Sequence, residues 1–175
     1  MAMFRLATHD DLAALVDLVN SAYRGESSRT GWTTEADLLD GQRIDITEFQ
    51  RMLSQHGHAV LTAWELDGRP VACAQTAVEP DGTLYFGMLT VRPDAQGLGL
   101  GRELLAALEA HGRTAGCTQI RMTVIHLRHE LIAWYERCGF VATGRIEPFP
   151  MRDPRYGLPK VAHLELREFS KTIKG

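Results

Sequence analysis

Between Val91 and Arg102 the chain passes from an apolar strand-like run through Gln96-Gly97-Leu98-Gly99-Leu100-Gly101 into a leucine-periodic stretch. No other segment restricts the fold as much. Glycines let a backbone take conformations that other residues resist and let it approach a ligand closely. The residues that follow place Leu100, Leu104, Leu105 and Leu108 on one helical face, with Gly112 and Gly116 to end the helix. Gln119 to Ile125 then reads as a further strand. A strand-helix-strand unit implies a parallel pairing with a right-handed crossover. The start of such a helix carries unpaired N–H groups and the positive end of the helix dipole, so a phosphate or pyrophosphate is its natural guest. As a glycine run alone, the segment fits a simple tight turn equally well.

The segments before and after the turn are consistent with one domain of mixed α/β class over residues 1–175. Phe4-Arg5-Leu6 suits a short strand. Thr8 with Asp11 forms a capping box for a helix running to about Tyr23, whose apolar face is Leu12, Leu15, Val16 and Val19. Residues 24 to 33 are polar and glycine-punctuated, hence a loop. A short helix is expected at 34 to 40, ending at Gly41, and Thr47 with Gln50 is expected to cap another that runs to about Gln55. Ala59 to Trp64, Val71 to Val78 and Thr83 to Val91 read as three antiparallel strands joined at Asp67-Gly68 and Pro80-Asp81-Gly82. A helix from about Arg128 to Cys138 stops at Gly139. Strands follow near Phe140 to Ile146 and Val161 to Phe169, with a proline-rich loop between them.

The net charge of −3 disfavours a nucleic-acid partner held by a broad basic surface. No apolar run approaches the roughly 20 residues of a membrane helix, and the first residues lack a secretory signal. Cys73, Cys117 and Cys138 are odd in number and hold no Cys-x-x-Cys pair, so they read as small buried hydrophobes and the cytoplasm is the expected home. His56-x-His58 and His126-x-x-His129 lack a third ligand at convincing spacing. No metal is expected.

Two familiar phosphate loops fail against the glycine turn. No Lys-Ser/Thr follows it, and neither Gly97 nor Gly99 begins a Gly-x-Gly-x-x-Gly frame. What matches is the motif Gln/Arg-x-x-Gly-x-Gly/Ala, met by Gln96, Gly99 and Gly101 after Leu89-Thr90-Val91-Arg92-Pro93. Further on, Trp134-Tyr135-Glu136-Arg137-Cys138-Gly139-Phe140 supplies the tyrosine, the acid and the Gly-Phe pair of a second motif. In these motifs and in element order the chain resembles the GNAT superfamily of N-acetyltransferases.

That resemblance implies a GNAT-type fold: a central mixed, mostly antiparallel sheet, splayed between its fourth and fifth strands and flanked by four to five helices. It implies acetyl-coenzyme A as co-substrate. Backbone groups of Leu89, Thr90 and Val91 would hold the pantetheine arm, and a backbone N–H near Leu89 would polarise the thioester carbonyl. Gln96 belongs to the coenzyme loop, and the N–H groups of Gly97, Leu98, Gly99, Leu100, Gly101 and Arg102 would take the pyrophosphate. Tyr135 would serve the leaving thiolate, since a thiol titrates near 8.5 and a phenol near 10. Arg128 and Leu131 depart from the Asn and Ala that many relatives carry seven and four residues before the tyrosine.

Transfer also needs a neutral amine, and deprotonating an alkylammonium at neutral pH costs roughly 4–5 kcal/mol. Glu79 and His126 are the candidate bases, and each fits a solvated strand end equally well. Relatives build the acceptor pocket where this chain has Tyr23, Trp32, Thr33, Glu35 and Arg43; a solvated helical hairpin anchored by Trp32 accounts for them as well. Residues 24 to 50 hold six acids against three arginines, a rim that would attract a cationic amine. The leading expectation is direct acetyl transfer to a primary amine of a small molecule in a ternary complex. A protein or peptide amine, a non-catalytic acyl-coenzyme A sensor and a toxin-like relative acting on charged transfer RNA stand as alternatives, the last wanting a basic face. Homodimers are common among relatives, although no apolar stripe assigns an interface here.

Overall fold

A computed structural model of the chain describes residues 2–173. In chain order it contains β1 (Phe4–Leu6), α1 (Leu12–Tyr23), β2 (Leu39–Asp40), α2 (Ile46–Leu53), β3 (His58–Trp64), β4 (Pro70–Val78), β5 (Thr83–Val91), α3 (Leu100–Thr114), β6 (Gln119–Ile125), α4 (His129–Arg137), β7 (Val141–Pro148), β8 (Leu158–Pro159) and β9 (Glu165–Thr172). Seven strands form one sheet in the order β1-β3-β4-β5-β6-β9-β7, and β2 pairs with β8 apart from it. Every neighbouring pair of the large sheet is antiparallel except β5 with β6. This is the mixed, mostly antiparallel architecture implied by the motifs.

The central strands are apolar on both sides because each side is covered. Leu61, Ala72, Ala74, Leu84 and Phe86 pack with Leu104, Leu105 and Leu108 of α3. Their alternating neighbours Val60 and Cys73, together with Met88, pack with Leu12, Leu15 and Val19 of α1 and with Phe49 and Met52 of α2. The two-residue side-chain period of a strand explains why adjacent residues join different clusters. The tight turns fall where glycine was read: Gly68 and Gly82 have φ of 80° and 82°.

The sheet opens in its middle. β5 and β6 pair only from Thr83↔Gln119 to Tyr85↔Arg121, and beyond this they separate. On its other side β5 slips against β4 between Cys73 and Gln75, opposite Met88, whose φ is +48°. An extra residue on one strand of a pair bends that strand and leaves backbone groups unpaired. The splay therefore lies between the fourth and fifth strands of the main sheet in chain order.

Four local expectations need correction. Residues 34 to 40 do not form a helix. Leu39 is fully buried beside Ile125, Phe149 and Leu164, which draws the chain into the β2–β8 pair. α2 is capped by Asp45, whose carboxylate accepts from the Glu48 N–H at 2.8 Å, rather than by Thr47. The Thr8–Asp11 capping box is present, but it opens a 3-10 turn, His9–Asp11, that leads into α1. The last strand begins at Glu165, four residues later than expected. Among the described residues no helix is long and apolar enough to cross a membrane.

Candidate functional site

Two adjoining cavities occupy the splay. The larger, about 570 Å³, lies between the glycine turn, the end of β5 and one face of α4. The smaller, about 180 Å³, lies between the separated parts of β5 and β6. Tyr23, Leu89 and Leu131 line both, so these three residues form the junction.

At the glycine turn Gly97 and Gly99 have φ of 83° and 89°, a left-handed region that side chains disfavour. A Cβ built at either position meets nothing within 4 Å, so conformation rather than space selects glycine there. Gly101 is glycine for space: its Cβ would sit 3.1 Å from Cζ2 of Trp134 on α4. Among the described residues the N–H groups of Gly97 to Gly101 have no acceptor, whereas those of Arg102 and Glu103 donate to the Gly99 carbonyl at 3.0 and 3.1 Å. Arg102 thus contributes no free N–H, although it lines the cavity together with Arg137. A row of open amides at a helix start, in a cavity that two arginines also line, suits an anion. Leu98 and Leu100 bring only backbone, since Leu98 is exposed and Leu100 packs on the core.

Gln96 points away from the turn. Its Oε1 accepts from the Trp32 N–H at 2.8 Å, and its Nε2 donates to Thr33 Oγ1 at 2.9 Å and to the Val91 carbonyl at 3.0 Å. The motif glutamine is a clasp that fastens residues 31–33 to the end of β5, and it also lines the larger cavity. Gly31 makes room for it: a Cβ there would lie 2.5 Å from Gln96 Oε1. Trp32, so held, meets Trp134 edge-on at 6.1 Å, and both line the larger cavity.

At the junction the Tyr23 hydroxyl donates to the Leu89 carbonyl. Tyr135, on α4, is buried among Phe86, Trp134 and Phe140 and opens on the smaller cavity. Its hydroxyl has no hydrogen-bond partner among the described residues. Burial, reinforced by the nearby Tyr23, raises its pKa well above the ordinary phenol value, so it is a neutral donor across the accessible pH range.

The wall of the smaller cavity carries Arg24, Arg43, Arg128 and Glu35. Glu35 bonds to Arg24 through one oxygen and to Arg128, at 3.0 Å, through the other. Arg128 also donates to the Thr33 carbonyl. Burial alone would raise the pKa of Glu35; the charges of Arg128, Arg24 and Arg43 outweigh this and hold it below the ordinary carboxylate value.

A family model described as "Acetyltransferase (GNAT) family" matches residues 13–140, which contain the glycine turn, the splay and α4. The chain belongs to the GNAT acetyltransferase family. It is 27% identical over 142 residues to an amino-acid acetyltransferase of Ralstonia nicotianae, a match covering 79% of this chain but only 31% of that protein. It is 33% identical to an aminoglycoside N(6')-acetyltransferase type 1 of Stenotrophomonas maltophilia, over 61% of this chain and 74% of the other. Among solved structures, yncA, a putative acetyltransferase from Salmonella typhimurium with its cofactor acetyl-CoA, superposes with a TM-score of 0.68 at 22% identity. That superposition covers 100% of this chain and 95% of the other.

Within this GNAT scaffold the expected residues divide. Leu89 and Val91 line the larger cavity, but Thr90 lines neither cavity: it pairs with Cys73 on β4 and its hydroxyl donates to the Met88 carbonyl. Trp32 and Thr33 face the larger cavity and Arg43 the smaller. The two expected bases lie elsewhere. Glu79 is drawn into a two-point ion pair with Arg121, in a separate groove, and His126 accepts from the Glu165 N–H at 3.2 Å beside His163. The acids of the rim are engaged in place: Glu26 and Asp37 pair with Arg29, Glu35 with Arg24, Glu48 with Arg51 and Asp40 with Lys160, while Asp45 caps α2. Arg24 and Arg128 escaped sequence reasoning as site residues. Their signal was weak, an arginine at a helix end and another where relatives carry asparagine. Among the described residues no group of three or more His, Cys, Asp or Glu is placed to hold a metal.

Proposed function

We propose that this protein is an acetyl-coenzyme A-dependent N-acetyltransferase that takes the coenzyme into the larger cavity and a small amine into the smaller one. The adjacency of the two spaces at Tyr23, Leu89 and Leu131 carries this reading, because a thioester held in one and an amine held in the other would approach each other there. The open amides of Gly97 to Gly101 suit the pyrophosphate, with Arg102 and Arg137 at hand for further phosphate charge. The larger volume falls in the ordinary range of about 300–1,000 Å³ for ligand sites, and the smaller falls below it.

In the reaction the amine nitrogen attacks the thioester carbon, the C–S bond breaks, and the thiolate departs toward Tyr135. With its pKa raised, the phenol donates a hydrogen bond to the thiolate rather than surrendering its proton outright. Glu35 is the one carboxylate on the acceptor wall and both its oxygens are engaged. The amine is therefore used in its neutral form, and the proton lost after attack passes to water. The family relatives named for amino-acid and aminoglycoside acetylation both modify amines, which favours transfer over mere sensing. Calorimetric titration with acetyl-coenzyme A, followed by thiol release across a panel of amines, tests the reading. A protein that ignores the coenzyme is not an acetyltransferase.

A further inference from the structure

The smaller cavity carries an excess of positive charge. Three guanidinium groups, those of Arg24, Arg43 and Arg128, share its wall with one carboxylate, and that carboxylate is occupied by Arg24 and Arg128. Arg43 is left over. Its main-chain N–H bonds to Asn20 Oδ1, but its guanidinium has no carboxylate partner among the described residues and lies 5.8 Å from the centre of the Tyr23 ring. Nearby, Nε of Arg24 is buried with no hydrogen-bond partner at all. A guanidinium offers five donors in a fork that matches a carboxylate or phosphonate, and an unpartnered buried donor is costly.

We propose that the acceptor is a small amine that itself bears an oxyanion, a carboxylate or a phosphonate, and that Arg43 receives that group. The proposal rests on the acetyl-transfer reading and names its substrate class. Tyr23 sets the spacing. Arg43 and Arg128 both lie within 6 Å of its ring, while its hydroxyl reaches the Leu89 carbonyl, beside which the amine must sit. Arg43 and the Leu89 carbonyl thus lie against the same tyrosine side chain, within the compass of one small acceptor. The volume of about 180 Å³ agrees with an acceptor of that size. A polycationic amine would meet like charge on the same wall.

The test joins two measurements on the full chain and on Arg43→Gln and Arg43→Lys. Thiol release from acetyl-coenzyme A is followed with short amino acids, their methyl esters and matching aminoalkylphosphonates. The same compounds are titrated by calorimetry in the presence of free coenzyme A. The acids are expected to beat their esters by about tenfold or more in KM and in Kd, the scale of a charge-assisted hydrogen bond. Arg43→Gln is expected to shrink that preference to about threefold or less, and Arg43→Lys to keep part of it. Thermal melting of both variants checks that they fold. The better of carboxylate and phosphonate identifies the oxyanion. Equal use of acids and esters, or an undiminished preference in Arg43→Gln, overturns the proposal. Should no amine release thiol, the transfer reading fails by itself, and the calorimetric comparison of acid with ester still decides the anion site.

Discussion

Tyr23 and Leu89 are joined by a hydrogen bond of 2.5 Å between a buried phenol and a main-chain carbonyl, 66 residues apart in sequence. The bond ties the last residue of α1 to β5 where the two cavities meet. Tyr23→Phe leaves that carbonyl without its donor. Urea denaturation is expected to show a loss of about 1 kcal/mol, and thiol release is expected to slow as the junction loosens.

Tyr135→Phe keeps the ring packing against Phe86 and Phe140 and removes only the donor. With a hydrogen bond to a charged group worth about 1.5–3 kcal/mol, kcat is expected to fall roughly 10- to 100-fold. Acetyl-coenzyme A affinity by calorimetry is expected to stay within about twofold, because the phenol lines the other cavity. Undiminished turnover removes the phenol from the reaction.

Gly99→Ala adds one methyl group into open space, so any cost comes from the backbone. A left-handed alanine costs roughly 1–2 kcal/mol. Relaxing that strain turns the amides from their common centre, and the Kd for coenzyme A is expected to rise about tenfold or more. Calorimetry at two salt concentrations separates the loss of amide contacts from a change in screening.

Gln96→Ala deletes three hydrogen bonds at once. Backbone exchange at Trp32 is expected to quicken, and melting to fall by the equivalent of about 2 kcal/mol. Hydrogen–deuterium exchange resolved to residues 31–33 checks the local effect. A protection pattern that does not change there means that Gln96 is no clasp.

Asp11 gives the fold an acid-sensitive joint. The Arg5 guanidinium, with the Thr8 N–H, lowers its carboxyl from 3.8 to about 2. The folded value lies below the unfolded one, so the stabilisation is complete above about pH 4 and fades as the pH falls through 2. Arg5 is half exposed, and screening reduces the contribution to about 1–2 kcal/mol. Asp11→Asn is expected to show that deficit at pH 7 and to lose most of it at pH 2.5, by urea denaturation at both values.

The contrast between legible and hidden features follows the range of the forces involved. Asp67-Gly68, Pro80-Asp81-Gly82 and the glycine turn announce themselves because a positive φ is decided within two or three residues. The face of α3 was readable for a similar reason, since four leucines at helical spacing admit one arrangement. Leu39 was not readable as a strand: its burial depends on Phe149 and Leu164, more than a hundred residues away. Gln96 carries the motif, but which way its side chain turns depends on Gly31 leaving space. The arginine cluster was hidden most deeply. Glu35 and Arg128 stand 93 residues apart, and only the fold sets them against the same wall as Arg24 and Arg43. Glu79 shows the reverse error, a plausible acid at a strand end that a cross-strand arginine had already claimed.

The parallel seam between Thr83–Tyr85 and Gln119–Arg121 is only three residue pairs long. The two half-sheets are therefore joined like the arms of a clothespin, at one end only. A pantetheine arm lying along the free edge of β5 would be a borrowed strand, supplying the ladder that the polypeptide omits. Loading would then complete the sheet as well as fill the cleft, and departure of the spent carrier would leave that edge unpaired again.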